Sequence, residues 1–345
     1  MRKYLALLLA AMMILALAAG CGNNANEGGN SGMTFKIGMV TDVGGVNDKS
    51  FNQTSWEGLQ ALQASDSRFQ VQYLESKTDA DYQGNIETFM EDGYDLIICV
   101  GYMLANATKE AATANPDQKF AIIDDSSIDL PNVACLMFAQ NQASYLVGLV
   151  AGMMTESNTV GYVQGMYSDS MNQFAVGYIA GVKAANPDAE ILQYNANSFG
   201  DAAVGKTAAV DMITKGADVI YHAAGGTGSG VIEGCKENGI WAIGVDSDQS
   251  PLAPENVITS AMKRVDTAAQ DISKAVADGK FQSGVHMYDL TNEGVGIAPT
   301  QNLLPAEVVD AVNAAMAKVE SGEITVPNTI DELEAVYPGA FTLTE

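Results

Sequence analysis

Histidine, cysteine and basic residues are scarce in this 345-residue chain, and each shortage excludes something. Only His222 and His286 offer an imidazole. No serine or cysteine stands in a recognisable nucleophile motif, so any hydrolytic chemistry would rest on carboxylates alone. Of the four cysteines, Cys21, Cys99, Cys135 and Cys235, none forms a Cys-x-x-Cys pair, and the last three are odd in number and far apart. That argues against a disulfide framework or a zinc site and reads as small buried apolar side chains. Seventeen Lys and Arg face 42 Asp and Glu, a net charge of −25. Such a field opposes nucleic acid, anionic lipid and highly phosphorylated ligands, and it also keeps an exported protein soluble. Gly225–Gly230 lacks both the Gly-Lys-Ser/Thr ending of a P-loop and the Gly-x-Gly-x-x-Gly spacing, which leaves no nucleotide-hydrolysing motif.

Long apolar runs are missing too, with one exception. Arg2 and Lys3 precede an unbroken apolar stretch from Tyr4 to Ala19. It is short and ends in small residues, as a cleaved signal does and a membrane-spanning helix does not. Ala18-Ala19-Gly20-Cys21 resembles a bacterial lipoprotein cleavage box, although Leu17 lies four rather than three residues before the cysteine. Cys21 is therefore the expected lipidation site, and the polar, glycine-rich Asn23–Gly32 the expected tether. The expected location is the extracytoplasmic face of the cell membrane.

The length favours two domains, and the body of the chain carries one layout twice. Phe35–Val40 opens the first copy and Thr159–Val163 the second. Asp95-Leu96-Ile97-Ile98 answers to Asp218-Val219-Ile220-Tyr221, and Phe120–Asp124 to Trp241–Asp246, both ending in aspartate. Ile37 and Asp95 stand 58 residues apart, as do Val160 and Asp218. Strand candidates at 35–41, 70–74, 95–100, 119–123, 133–137, 159–164, 190–194, 218–222, 240–245, 257–260 and 285–289 alternate with helical stretches. That pattern predicts an α/β protein of two doubly wound, parallel-sheet lobes joined by a multi-crossing hinge. The expected divisions are a signal at 1–20 and an acylated tether at 21–33. Residues 34–140 with about 264–289 form the first lobe, and 141–263 with about 290–345 the second.

Ligands of open parallel sheets bind beyond the carboxyl ends of the strands. That rule selects Thr41–Gln53, Asp124, Asn197–Asp201, His222–Gly230, Asp246 and Lys263. The glycine run at 225–230 reads as a tight turn that presents backbone amides to a neutral sugar.

The ordered set Gly45-Val46-Asn47-Asp48-Lys49-Ser50-Phe51-Asn52-Gln53, Phe120–Asp124, Asn141–Gly148, Ser198-Phe199-Gly200-Asp201, Gly225–Gly230, Gly244–Gln249 and Ser260–Asp266 resembles the basic membrane protein family. These are the PnrA-like purine nucleoside-binding lipoproteins of bacterial ABC importers, and the likeness spans essentially the whole chain after the leader. It implies a type I periplasmic-binding fold and a nucleoside held between aromatic rings, with Phe51 on one face and Phe199 as the candidate for the other. It also implies that Asp48, Asn52 and Asp124 read the base and that Asp246 accepts from the ribose hydroxyls. Lys263 would donate to a ribose oxygen, and Gly225 and Gly226 would offer backbone amides. Alternatives stand beside these roles: Asp125 in place of Asp124, a core position for Phe51, a loop plug for Phe199, a capping carboxylate for Asp246, a solvated surface lysine for Lys263 and a satisfied strand-end histidine for His222.

No catalysis, cofactor or metal is expected. The implied partners are a nucleoside, the permease and ATPase subunits, and a membrane reached through the lipid; the chain itself is expected to be monomeric. A receptor for a sugar or other small polar metabolite on the same fold is the alternative, with a nucleoside-processing enzyme or a surface sensor further off.

Overall fold

Alternating apolar runs and helical stretches become two six-stranded sheets in the computed structural model, which describes residues 34–299 and 302–344. The first sheet holds β1 (Phe35–Val40), β2 (Phe69–Leu74), β3 (Leu96–Cys99), β4 (Lys119–Ile123), β5 (Val133–Phe138) and β11 (Gly284–Tyr288). The second holds β6 (Thr159–Gln164), β7 (Glu190–Asn195), β8 (Val219–Ala223), β9 (Trp241–Asp246), β10 (Val257–Lys263) and β12 (Val295–Ile297). Their orders are β2-β1-β3-β4-β5-β11 and β7-β6-β8-β9-β10-β12. Among the described strands only β12 pairs antiparallel, against β10. The repeat seen in the sequence is thus a repeat of topology, and the expected α/β class with two parallel-sheet lobes is what forms.

Period-two alternation puts helices on both faces of each sheet. Leu96 and Ile98 face one apolar core while Ile97 and Cys99 face another, and all four are fully buried. The same split separates Val219 and Tyr221 from Ile220 in the second sheet. Cys99, Cys135 and Cys235 are free and buried within these cores.

The helical stretches are α1 (Phe51–Ser65), α2 (Asp81–Glu91), α3 (Ala105–Ala114), α4 (Gln140–Met154), α5 (Asp169–Ala185), α6 (Ala202–Thr214), α7 (Gly225–Asn238), α8 (Val265–Ala277) and α9 (Ala306–Glu320). A tenth, α10 (Ile330–Val336), begins at a capping box of Thr329 and Glu332. The chain leaves the first sheet after Phe138 to build α4, returns after Lys263 to build α8, which packs on α1, and crosses again between Tyr288 and Val295. The segment after 300 lies on second-lobe elements, α9 against α4 and α10 against α5.

Two helix pairs approach backbone to backbone. A Cβ at Gly177 or Gly181 of α5 would collide with the carbonyl oxygen of Asn141 or Tyr145 on α4. The same logic corrects the reading of the 225–230 run, which forms the first turns of α7 rather than a tight turn. Its glycines are there for contact: a Cβ on Gly228 would strike the His222 ring, and one on Gly230 the carbonyl of Ala202 at the start of α6. Residues 1–33, and with them the expected signal, Cys21 and the tether, lie outside the described residues.

Candidate functional site

The strand order in each lobe reverses between its first and third strands, and the crevice beyond that switch point is where such sheets hold ligands. A cavity sits there, lined from both lobes, with about 480 Å³ of atom-free space, part of it open to solvent. Asp48, Phe51, Asn52, Asp124, Phe199, Gly225, Asp246 and Lys263 all line it, whereas Gly226 stands just outside.

Asp124 and Asp246 show the repeat at its finest grain. Asp124 follows directly on β4 and Asp246 closes β9, the fourth strand of each lobe, and each has left-handed backbone, φ 67° and 65°. A non-glycine residue in that region is uncommon, and two at equivalent places point to a constrained, functional turn. Both are buried, at 8 % and 5 % exposure. The register extends the equivalence. Ile123 pairs with Leu136 and Val245 with Ala261, so Phe138 and Lys263 are counterparts two residues further along. Here the symmetry breaks: one lobe offers a phenyl ring and the other an ammonium group.

Lys263 is 2 % exposed, and its Nζ donates to Asp124 Oδ2 at 2.5 Å, from the second lobe to the first. The ammonium also lies 5.0 Å, 5.1 Å and 5.2 Å from the ring centres of Phe51, Phe138 and Phe174. A buried cation needs such company, an anion on one side and ring faces on the others. The partner oxygen, Asp124 Oδ1, is buried and has no hydrogen-bond donor among the described residues. An unsatisfied carboxylate oxygen in a cleft is an acceptor in want of a ligand N–H or O–H. Asp246 Oδ2 accepts from the Ser50 hydroxyl, again across the lobes. Burial pushes the Asp246 carboxyl up to about 7, against the opposing pull of Lys263 and Ser50.

Asp48 and Asn52 are at the cavity wall, but their polar atoms are largely spent inside the protein. Asp48 Oδ1 accepts from the backbone N–H of Ser50 (2.9 Å) and Gln53 (3.0 Å). Its Oδ2 accepts from the Asn52 N–H (2.8 Å) and Nδ2 (3.1 Å). Four donors fill the four acceptor positions of a carboxylate. Asp48 therefore caps the first turn of α1, a task Ser50's side chain does not perform. Asn52 spends both amide protons, on Asp48 and on Asp42 Oδ1 (2.7 Å), and its own oxygen accepts from the Asp42 N–H (3.2 Å). These two residues hold Phe51 and Asp42 in place more than they can read a ligand.

Asp42 itself lines the cavity, and burial raises its carboxyl to about 7, with Asn52 and the Gly44 N–H pulling it down. It lies two residues beyond β1, inside the Thr41–Gln53 stretch that the strand-end rule selects, although no role falls to it there. Tyr102, just past β3, was open to the same rule. Phe174 and Met171 line the cavity from α5, inside a helix that reads as core, and no sequence signal marks them. Phe199 packs against Gly165, where a Cβ would collide with its ring, and its carbonyl accepts the Thr227 N–H (3.1 Å) in the first turn of α7. His222 is not at the cavity. It is fully buried, and that burial pushes its pKa down to about 4.

A family model described as ABC transporter substrate-binding protein PnrA-like matches residues 35–329. The CD4+ T-cell-stimulating antigen of Listeria monocytogenes is 39% identical over 347 residues, covering 92% of this chain and 97% of that one. The ABC transporter nucleoside-binding protein BmpA of Lactococcus lactis is 36% identical, covering 95% and 99%. Among solved structures, an ABC transporter solute-binding protein from Aeropyrum pernix superposes with a TM-score of 0.81 at 25% identity, over 89% of this chain and 97% of that one.

Proposed function

The chain belongs to the PnrA-like family of ABC transporter substrate-binding proteins, and on that premise we propose that its cleft captures a nucleoside, purine before pyrimidine. Members of this family are not catalysts. They deliver a small ligand to permease and ATPase subunits, which supply the energy of transport. The observation that carries the nucleoside reading is the composition of one cavity: Phe51, Tyr102, Phe174 and Phe199 supply ring faces, while Asp124, Asp246 and Lys263 supply polar edges. A flat, heteroaromatic ligand with N–H donors fits that wall, and stacking on a ring contributes about 1–3 kcal/mol per base. Asp246 reaches vicinal hydroxyls with two acceptor oxygens, which favours ribose over deoxyribose. The nucleoside-binding Lactococcus relative supports the same reading.

Calorimetric titration of the refolded, ligand-stripped protein with inosine, guanosine, adenosine, cytidine, uridine, free bases and ribose tests it. Saturable purine nucleoside binding is expected, with Phe51→Ala weakening it about 10–100-fold through the lost stacking. Heat with a sugar and none with any nucleoside would refute the ligand and favour the sugar-receptor alternative. Attachment to the membrane through a lipid on Cys21 is the second part of the proposal. Cys21→Ser should move the protein from the membrane fraction to the soluble one, and a variant that stays membrane-bound would overturn it.

A further inference from the structure

The Gly244–Gln249 segment does more than carry Asp246. Gln249 is 2 % exposed and is not among the residues that line the cavity, yet its side chain is tied on three sides. Its Oε1 accepts from the backbone N–H of Val245 at 2.9 Å and meets His222 Nε2 at 2.9 Å. A backbone N–H can only donate, so the amide oxygen is fixed there and His222 must carry its proton on Nε2. Glycine makes the room: a Cβ on Gly244 would come within 2.7–2.8 Å of Gln249, and one on Gly228 would strike the His222 ring.

With its oxygen held inside the second lobe, Gln249 can only point its NH2 outward. Nε2 donates to the carbonyl of Lys49 in the first lobe at 2.8 Å. Lys49 has left-handed backbone, φ 59°, and the next residue, Ser50, donates to Asp246. Phe51 and Asn52 follow at once. One turn, gripped at its carbonyl and at its hydroxyl, thus fixes the start of α1 against the opposite lobe.

We infer that Gln249 is a positioning residue, a latch that holds the Lys49–Ser50 turn to the second lobe and slows release of whatever the cleft contains without touching it. The latch rests on the substrate-binding role of the family. Only its probe, inosine, rests on the nucleoside reading.

The test compares the parent full chain with Gln249→Leu and the closer-shaped Gln249→Met, so that failure of one to fold leaves the other. Stopped-flow fluorescence should show inosine leaving about three- to tenfold faster, the share of one hydrogen bond, with association within about twofold. The preference for inosine over 2′-deoxyinosine should not change, because Gln249 lies behind the ligand wall. Spin labels on exposed Gln60 and Lys236, one on each lobe, should report a distance distribution broadened toward larger separations in both variants. An unchanged release rate together with an unchanged distribution overturns the latch, and a changed preference overturns it in favour of direct contact. If the parent takes up no nucleoside, the proposed ligand fails, and the distance distribution alone decides the latch.

Discussion

Replacing Asp124 by Asn keeps the shape of the side chain and its tolerance of left-handed backbone, while removing the negative charge that faces Lys263. At 2 % exposure, Lys263 cannot turn its ammonium to water. Removing one member of such a buried pair costs about 3–5 kcal/mol. Two features favour the lower end: the Asn oxygen can still accept, and the Asp246 carboxyl lies within the electrostatic reach of Lys263. The expected loss is about 3 kcal/mol. At roughly 2–4 °C per kcal/mol, calorimetry should find Tm lower by about 6–12 °C. Lys263→Met should also destabilise. In the double variant both charges are gone, and Met fits the cage of Phe51, Phe138 and Phe174. Its stability should return to within about 1 kcal/mol of the parent while ligand binding stays lost. A single variant that loses less than about 1 kcal/mol, or a double variant no better than the singles, would refute the reasoning.

Two further outcomes follow from burial. Asp42 and Asp246 have folded pKa values of about 7, above the ordinary carboxylate range, so the folded state holds more protons than the unfolded one between about pH 4 and 7. Stability should therefore decline as pH rises through that window, by up to about 1.4 kcal/mol per pH unit for each group, and Asp42→Asn should flatten the slope of Tm against pH. Gly177→Ala should cost about 1–3 kcal/mol in urea unfolding, since its methyl has to push α5 away from the Asn141 carbonyl; a neutral result would contradict that packing.

Much of this was legible in the sequence because it rests on local pattern. Continuous apolar runs mark the buried strands, and the paired aspartates at 124 and 246 mark equivalent strand ends from sequence alone. Where tertiary packing overrode local preference, the reading failed. Glycine disfavours helix, so 225–230 looked like a turn, yet those residues start α7 because it lies tight on α6 and His222. The three-residue β12 takes its stability from β10 and has no periodicity to detect. Within the site, residue types and strand ends located Asp48 and Asn52 but not their duties, which depend on which donors the fold turns toward them. The Lys263–Asp124 pair joins residues 139 apart, a distance that no spacing rule spans.

Phe138 and Lys263 occupy matching places in the two lobes, 5.1 Å apart. A frame with true two-fold symmetry would present the same face to a guest inserted either way round. Exchanging a ring for a cation at that one position gives the cleft a polarity. A lopsided molecule, with a flat end and a hydroxylated end, then has one preferred heading, and the transporter subunits would always receive it facing the same way.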